Sequence, residues 1–274
     1  MNRRRAAVQR WSKVCVFESR CPNFATKKLM CYHKQDKAIA AELEVRYAAV
    51  LRDIGYHPTY YENGFDFGPS PVLTVQRPKE FQMHKWGLIP WWTKSVQDAA
   101  QMRLKTLNAI SEEMFEKPAF RDSLSDGKRC LIPCTGFFEW RWLNNGKVKY
   151  PYFIYSKEDP IFSIAGIWSS WVDKTSGEEI NTYSVLTTRA NPLLEKIHNS
   201  KKRMPVILPK EYEKDWLNPS LTKDDVLALC GPIPDSRLTA HTISKMITDR
   251  KVEDKNVEAI ARPFEYPELA IIDA

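Results

Sequence analysis

No apolar run in this chain approaches the roughly 20 residues that would span a bilayer, and no secretory signal precedes its body. The expectation is a soluble, cytoplasmic protein with no membrane partner. A disulfide scaffold is lacking as well. Six cysteines, at positions 15, 21, 31, 130, 134 and 230, are few and irregularly spaced for 274 residues, which favours free thiols in a reducing compartment. Internal repeats and low-complexity linkers are absent, so a chain that is 43% hydrophobic fits one substantial core. Most of the chain also lacks net charge. Residues 1–29 hold eight basic side chains against Glu18 alone, which is the whole +7 excess, and the rest carries 33 of each sign. Bulk charge therefore gives the body no help in binding nucleic acid, and any such site must be a local patch.

The first 29 residues have no sustained apolar period. They read as a basic tail, as an organelle transit peptide, or as a segment foreign to a natural protein whose translation begins at Met30. We expect this extension to be non-native or removed. Cys15, Cys21, Cys31 and His33 are separated by five, nine and one residues, without the paired short spacers of a zinc knuckle. No metal and no cofactor is assigned.

From Met30 onward the pattern is organised. Asp36 is placed to cap a helix with the apolar face Ile39, Leu43, Tyr47 and Val50, running to about residue 53 and ended by Gly55. Strands are predicted near 71–77 and 81–89. Phe137 to Trp142 and Val148 to Tyr155 flank Asn144-Asn145-Gly146-Lys147, a hairpin signal. A second hairpin joins Ile161–Val172 to Glu179–Thr187 through Lys174-Thr175-Ser176-Gly177. Asn191 and Pro192 cap and open a short helix through Ile197, and Thr222 with Asp225 forms an acidic capping box for another. Strands at hairpin spacing outnumber helices, so the fold class is α+β with antiparallel sheet.

Chemistry concentrates at a few positions. Glu139 closes the run Ile132-Pro133-Cys134-Thr135-Gly136-Phe137-Phe138-Glu139-Trp140. Among aromatics a carboxylate either finds a strong partner or has its pKa raised into the range useful for proton transfer; the alternative is a strand glutamate facing solvent. Cys31, Asn108 and His198 are individually weak signals. A lone cysteine is most often a small buried hydrophobe, and a histidine at a helix end is usually structural.

In their order these motifs resemble the SRAP family, the SOS-response-associated peptidase fold. The resemblance spans roughly residues 30–250. It rests on Met30-Cys31, Trp86-Gly87-Leu88-Ile89-Pro90-Trp91-Trp92, Asn108-Ala109, Arg129-Cys130-Leu131-Ile132-Pro133 leading into Gly136-Phe137-Phe138-Glu139-Trp140, Ala165-Gly166-Ile167-Trp168, and Ile197-His198 with Arg203-Met204-Pro205. It implies a single monomeric domain over 30–274, built on a barrel-like antiparallel sheet with flanking helices. It also implies covalent capture of abasic sites in single-stranded DNA, with a nucleoid association if the protein is bacterial.

The family's cysteine becomes the amino terminus once the initiator Met is removed. Cys31 would then be a 1,2-aminothiol able to close on a ring-opened abasic sugar as a thiazolidine, which a peptide nitrogen cannot do. By resemblance, Glu139 shuttles protons, His198 assists sugar opening, and Asn108 hydrogen-bonds the nucleophile. Trp91 and Trp92 form a stacking wedge, with core packing as the competing reading for Trp92. Thr187 and Arg203 take phosphate positions, which Lys94, Arg103, Lys105, Lys201 and Lys202 could extend. Three departures stand out. His33 replaces a phosphate-binding arginine, Ile110 replaces another, and four residues separate His198 from Arg203 where one is usual. Two other function classes compete: a thiol peptidase using Cys31 and His198, for which no protease signature surrounds the cysteine, and a noncatalytic single-strand binder built on Trp91 and Trp92.

Overall fold

The computed structural model describes residues 31–52 and 55–272. Its elements, in chain order, are β1 (His33–Asp36), α1 (Ala40–Tyr47), β2 (Thr59–Asn63), β3 (Pro69–Thr74), β4 (Arg77–Trp86), α2 (Val96–Arg103), β5 (Asn108–Ile110), α3 (Pro118–Ser125), β6 (Arg129–Cys134), β7 (Gly136–Leu143), β8 (Val148–Ser156), β9 (Phe162–Val172), β10 (Glu179–Arg189), α4 (Pro192–Ile197), β11 (Arg203–Pro205), β12 (Ile207–Leu208), α5 (Glu213–Trp216), α6 (Lys223–Ala228), β13 (Leu238–Thr242) and α7 (Pro267–Ile272). No helix among the described residues is long and apolar enough to cross a membrane.

Strands β4, β3, β6, β9 and β10 pair in that order, and β10 returns to β4, so five strands close into a barrel. Closure removes the free sheet edges that would otherwise template aggregation. A second sheet has the order β13-β8-β7-β1-β2. The chain crosses from barrel to second sheet at Thr135, the single residue between β6 and β7.

That crossing buries β7 on both faces. Alternate side chains of a strand point to opposite sides, and here Phe137 enters the barrel core with Val72, Trp86 and Ile132. Phe138 packs on the outer face with Phe153, Ile243 and Ile260. Fully burying such a side chain stabilises by about 1.5–3 kcal/mol, so the register of β7 is strongly specified. Glu139 follows Phe137 by two residues and therefore faces inward.

The expected α+β class holds, and both predicted hairpins form. Asn144, Asn145 and Gly146 turn the first with φ of 51°, 54° and 86°. Asp173 organises the second, its side chain accepting from the Thr175 amide at 2.9 Å and its carbonyl from Gly177 at 2.7 Å. Asn191 caps α4 by accepting from the Leu194 amide at 2.9 Å, and Thr222 with Asp225 caps α6. The strands predicted near 71–77 and 81–89 form with shifted ends, as β3 and β4.

Two expectations fail. Asp36 does not cap a helix: it ends β1, which pairing with β2 and β7 holds extended. The helix starts at Ala40, where the Glu42 carboxylate accepts from the Ile39 amide at 2.9 Å, and it stops at Ala48 in a left-handed turn (φ 48°), well before Gly55. Of the predicted face, Leu43 is buried, while Ile39 and Val50 are exposed. The expected antiparallel, barrel-like sheet does form, with β10 pairing parallel to β4 and β5 where the barrel closes.

Candidate active site

Three elements meet at one buried point. The antiparallel register Lys34↔Phe137 brings the chain just before β1 alongside Glu139. His198 is the first residue beyond α4, and its amide closes the helix onto Leu194 at 2.7 Å. Cys31, Glu139 and His198 are all buried, and one ligand-type atom of each lies within 4.8 Å of the others.

The electrostatics follow from that burial. The Cys31 thiol hydrogen-bonds the Glu139 carboxylate; burial first, and the nearby carboxylate second, push its pKa well above the ordinary thiol value. Burial likewise raises Glu139, with His198 opposing. The pair therefore keeps a proton between them at neutral pH. Glu139 Oε1 lies 3.9 Å from His198 Nδ1 and has no hydrogen-bond partner among the described residues. His198 Nδ1 lies 2.7 Å from the carbonyl oxygen of Arg203. A carbonyl only accepts, so Nδ1 carries a proton and donates it to this bond.

Asn108 sits on β5 beside Val185 of β10. It is buried, and neither its Oδ1 nor its Nδ2 has a partner among the described residues. A buried, unsatisfied amide costs about 1–3 kcal/mol. Strain of that kind is expected where a ligand completes the bonding.

The remaining sequence-predicted residues divide. Trp91 and Trp92, in the turn after β4, are 61% and 39% exposed, which rules out core packing for Trp92. Trp91 is steadied by an indole bond to Asp122 at 3.1 Å. Arg203 reaches the site through its backbone, while its guanidinium forks onto both oxygens of Glu112 at 2.8 and 2.7 Å and donates to the Thr187 carbonyl at 2.6 Å. Thr187 is fully buried and its hydroxyl donates to the Ala109 carbonyl at 3.4 Å. His33 bonds Tyr61 through Nδ1 at 2.9 Å and packs edge-on to Trp140. Burial, with Lys255 nearby, pulls its pKa down to about 3, so it is neutral where the family has an arginine.

Arg103 is not part of an exposed basic patch. It is buried, with Nη2 donating to the carbonyls of Trp86 at 2.8 Å and Phe67 at 3.2 Å. Lys94, Lys105, Lys201 and Lys202 are exposed. Met30 and the basic segment before it lie outside the described residues, as do Cys15 and Cys21.

Two positioning residues were missed from sequence. Asn199 exchanges two bonds with the backbone of Trp142, at 3.0 and 2.7 Å, locking the loop that carries His198 against β7. Glu112 straps the end of β5 to β11 through Arg203. The only local signal for Asn199 was its place directly after His198. Glu112 had none, because its partner is 91 residues away.

A family model described as SOS response associated peptidase (SRAP) matches residues 30–250. The Abasic site processing protein YoqW of Bacillus subtilis (strain 168) is 36% identical over 201 residues, 72% of this chain and 83% of its own length. The Abasic site processing protein HMCES of Xenopus tropicalis is 31% identical over 226 residues, 72% of this chain and 64% of its own. A crystal structure of a Bacteroides thetaiotaomicron protein aligns with a TM-score of 0.79 at 38% identity, covering 86% of this chain and 100% of the other.

Proposed function

The chain belongs to the SRAP family, and from that premise we propose that it processes abasic sites by capturing them covalently in single-stranded DNA through Cys31. The observation that carries this reading is the buried cluster of Cys31, Glu139 and His198, one ligand-type atom of each lying within 4.8 Å of the others.

The reaction requires a chain that begins at Cys31. The neutral α-amine, with a reference pKa near ~8, adds to the aldehyde of the ring-opened sugar. Glu139, whose pKa burial raises, acts as the acid that gives a proton to the departing hydroxyl, and loss of water leaves a protonated Schiff base. The Cys31 sulfur then adds to the imine carbon. Its proton passes to Glu139, the nitrogen keeps the hydrogen it carried in the protonated Schiff base, and the five-membered thiazolidine closes. One water is lost in all. A thiol held protonated by its surroundings suits this order, since it waits until the imine forms and hands over its proton only on ring closure.

His198, held in orientation by the Arg203 carbonyl, assists opening of the sugar, and Asn108 bonds the nucleophile in place. Trp91 and Trp92 stack on flanking bases, worth about 1–3 kcal/mol per base. Arg203 meets phosphate after exchanging Glu112 for it. The peptidase reading is weakened because the thiol's hydrogen bond goes to a carboxylate and not to an imidazole.

The test is incubation of the chain beginning at Cys31 with single-stranded DNA bearing an abasic site. A protein-DNA band that survives denaturation supports capture. Cys31→Ser at the same terminus keeps the amine, so borohydride should still trap an imine while the stable band disappears. A stable band of equal yield from the serine variant would refute ring closure by sulfur.

A further inference from the structure

Cys31, Glu139 and His198 bring together a sulfur, a carboxylate oxygen and an imidazole nitrogen within 4.8 Å of one another, all buried. Thiolate and imidazole suit Zn²⁺, whereas Ca²⁺ and Mg²⁺ take oxygen ligands. Tetrahedral zinc, with bonds of about 2.0–2.1 Å to nitrogen or oxygen and about 2.3 Å to sulfur, sets its ligand atoms about 3.3–3.6 Å apart. The three side chains therefore need to close by at most about 1.5 Å.

Two further observations point to a ligand here. Glu139 Oε1 is buried with no hydrogen-bond partner among the described residues. His198 is fixed by its Nδ1–H, which donates to the Arg203 carbonyl at 2.7 Å and lies 3.9 Å from Glu139 Oε1. Metal-binding histidines are oriented in the same way, with one ring nitrogen tied to a carbonyl and the other left to bind.

We propose that Cys31, Glu139 and His198 bind one Zn²⁺, and that the bound ion masks the thiol from an incoming aldehyde. Binding forms a Zn–S bond and releases the thiol proton to solvent. The fourth position is filled by water when residues precede Cys31. When Cys31 is the first residue, its α-amine can join the sulfur in a five-membered chelate. The site needs only side chains; its effect on capture rests on the proposed function.

Co²⁺ replaces Zn²⁺ and reports the site without any activity assay. The full chain, carrying Cys15→Ser and Cys21→Ser to remove competing thiols, is titrated with Co²⁺ and then displaced with Zn²⁺. We expect one equivalent to bind with a one-thiolate charge-transfer band and tetrahedral d–d bands. Glu139→Gln and His198→Asn, shown folded by circular dichroism and urea midpoint, should each weaken binding at least about tenfold. A spectrum that persists unchanged in both variants, or that vanishes with Cys15 and Cys21, overturns the site. With the chain beginning at Cys31, saturating Zn²⁺ should suppress crosslinking at least tenfold and a chelator should restore it; an unchanged rate on metal-bound protein overturns the masking. Should no crosslink form even without metal, the proposed function fails while the cobalt spectrum still decides the site.

Discussion

At the scale of single residues, Glu139 is the carboxylate on which the proposed chemistry turns. Its surroundings raise its pKa by desolvation, which favours a carboxyl that both gives and takes a proton. Glu139→Gln keeps shape and hydrogen bonding but removes the proton transfer. The single-turnover crosslinking rate should fall by about 10²- to 10⁴-fold, and an unchanged rate would make Glu139 structural. Asp36 offers a separate test of the interior. Burial pushes its carboxyl up to about 7, with the Lys34 ammonium opposing. The folded state therefore holds a proton that the unfolded chain, titrating near ~3.9, releases. Stability from this group is complete below that unfolded value and is lost as pH rises to about 7. One pKa unit corresponds to about 1.4 kcal/mol, so the decline is measurable by urea unfolding across this window. Asp36→Asn should flatten it, and an identical pH profile in the variant would contradict the assignment.

Candidate residues were legible because each belongs to a short ordered motif: Glu139 in Gly136–Trp140, His198 after a capped helix, Asn108 beside Ala109. Their supports were not legible. Asn199 acts on Trp142 and Glu112 on Arg203, and nothing within a few residues of either announces a partner so distant in sequence. The fate of Arg203 illustrates the difference. Its motif suggested a phosphate contact, whereas the structure holds its guanidinium in a carboxylate fork and puts its carbonyl to work on His198.

At the scale of elements, turn and cap chemistry fixed what local sequence can fix. Asn144-Asn145-Gly146 needs positive φ at three positions and receives it, and the Asn191-Pro192 pair starts α4 where expected. The error at α1 arose because Asp36 carries a good capping residue's side chain but lies in β1, whose two strand neighbours override that preference. Barrel closure puts a sharper demand on Gly166, in β9 between β6 and β10. A Cβ there would lie 2.6 Å from Ile132 Cδ1, 2.9 Å from Cys130 Sγ and 3.1 Å from the Ser184 carbonyl oxygen. Gly166→Ala should therefore destabilise by about 1–3 kcal/mol, the usual cost of overpacking. A urea midpoint equal to the parent's would show that the barrel wall can yield at this point.

At the scale of the whole molecule, α+β class and hairpin order could be read from periodicity and turn residues, but closure of the barrel could not. It depends on β10 meeting β4 and β5 in parallel across long stretches of chain, and such pairings leave no local signature. The charge distribution raises the largest remaining question. The chain's entire +7 excess lies in residues 1–29, ahead of the cysteine whose amine the proposed reaction consumes. Retained, that segment turns the nucleophilic amine into a peptide nitrogen. The most direct measurement compares the full chain with the chain beginning at Cys31 on single-stranded DNA carrying an abasic site, with the mass of each protein verified before and after. The account predicts a denaturation-resistant crosslink from the trimmed chain and none from the full one. Crosslinking at the same rate by the full chain, its first 30 residues shown intact, would contradict it.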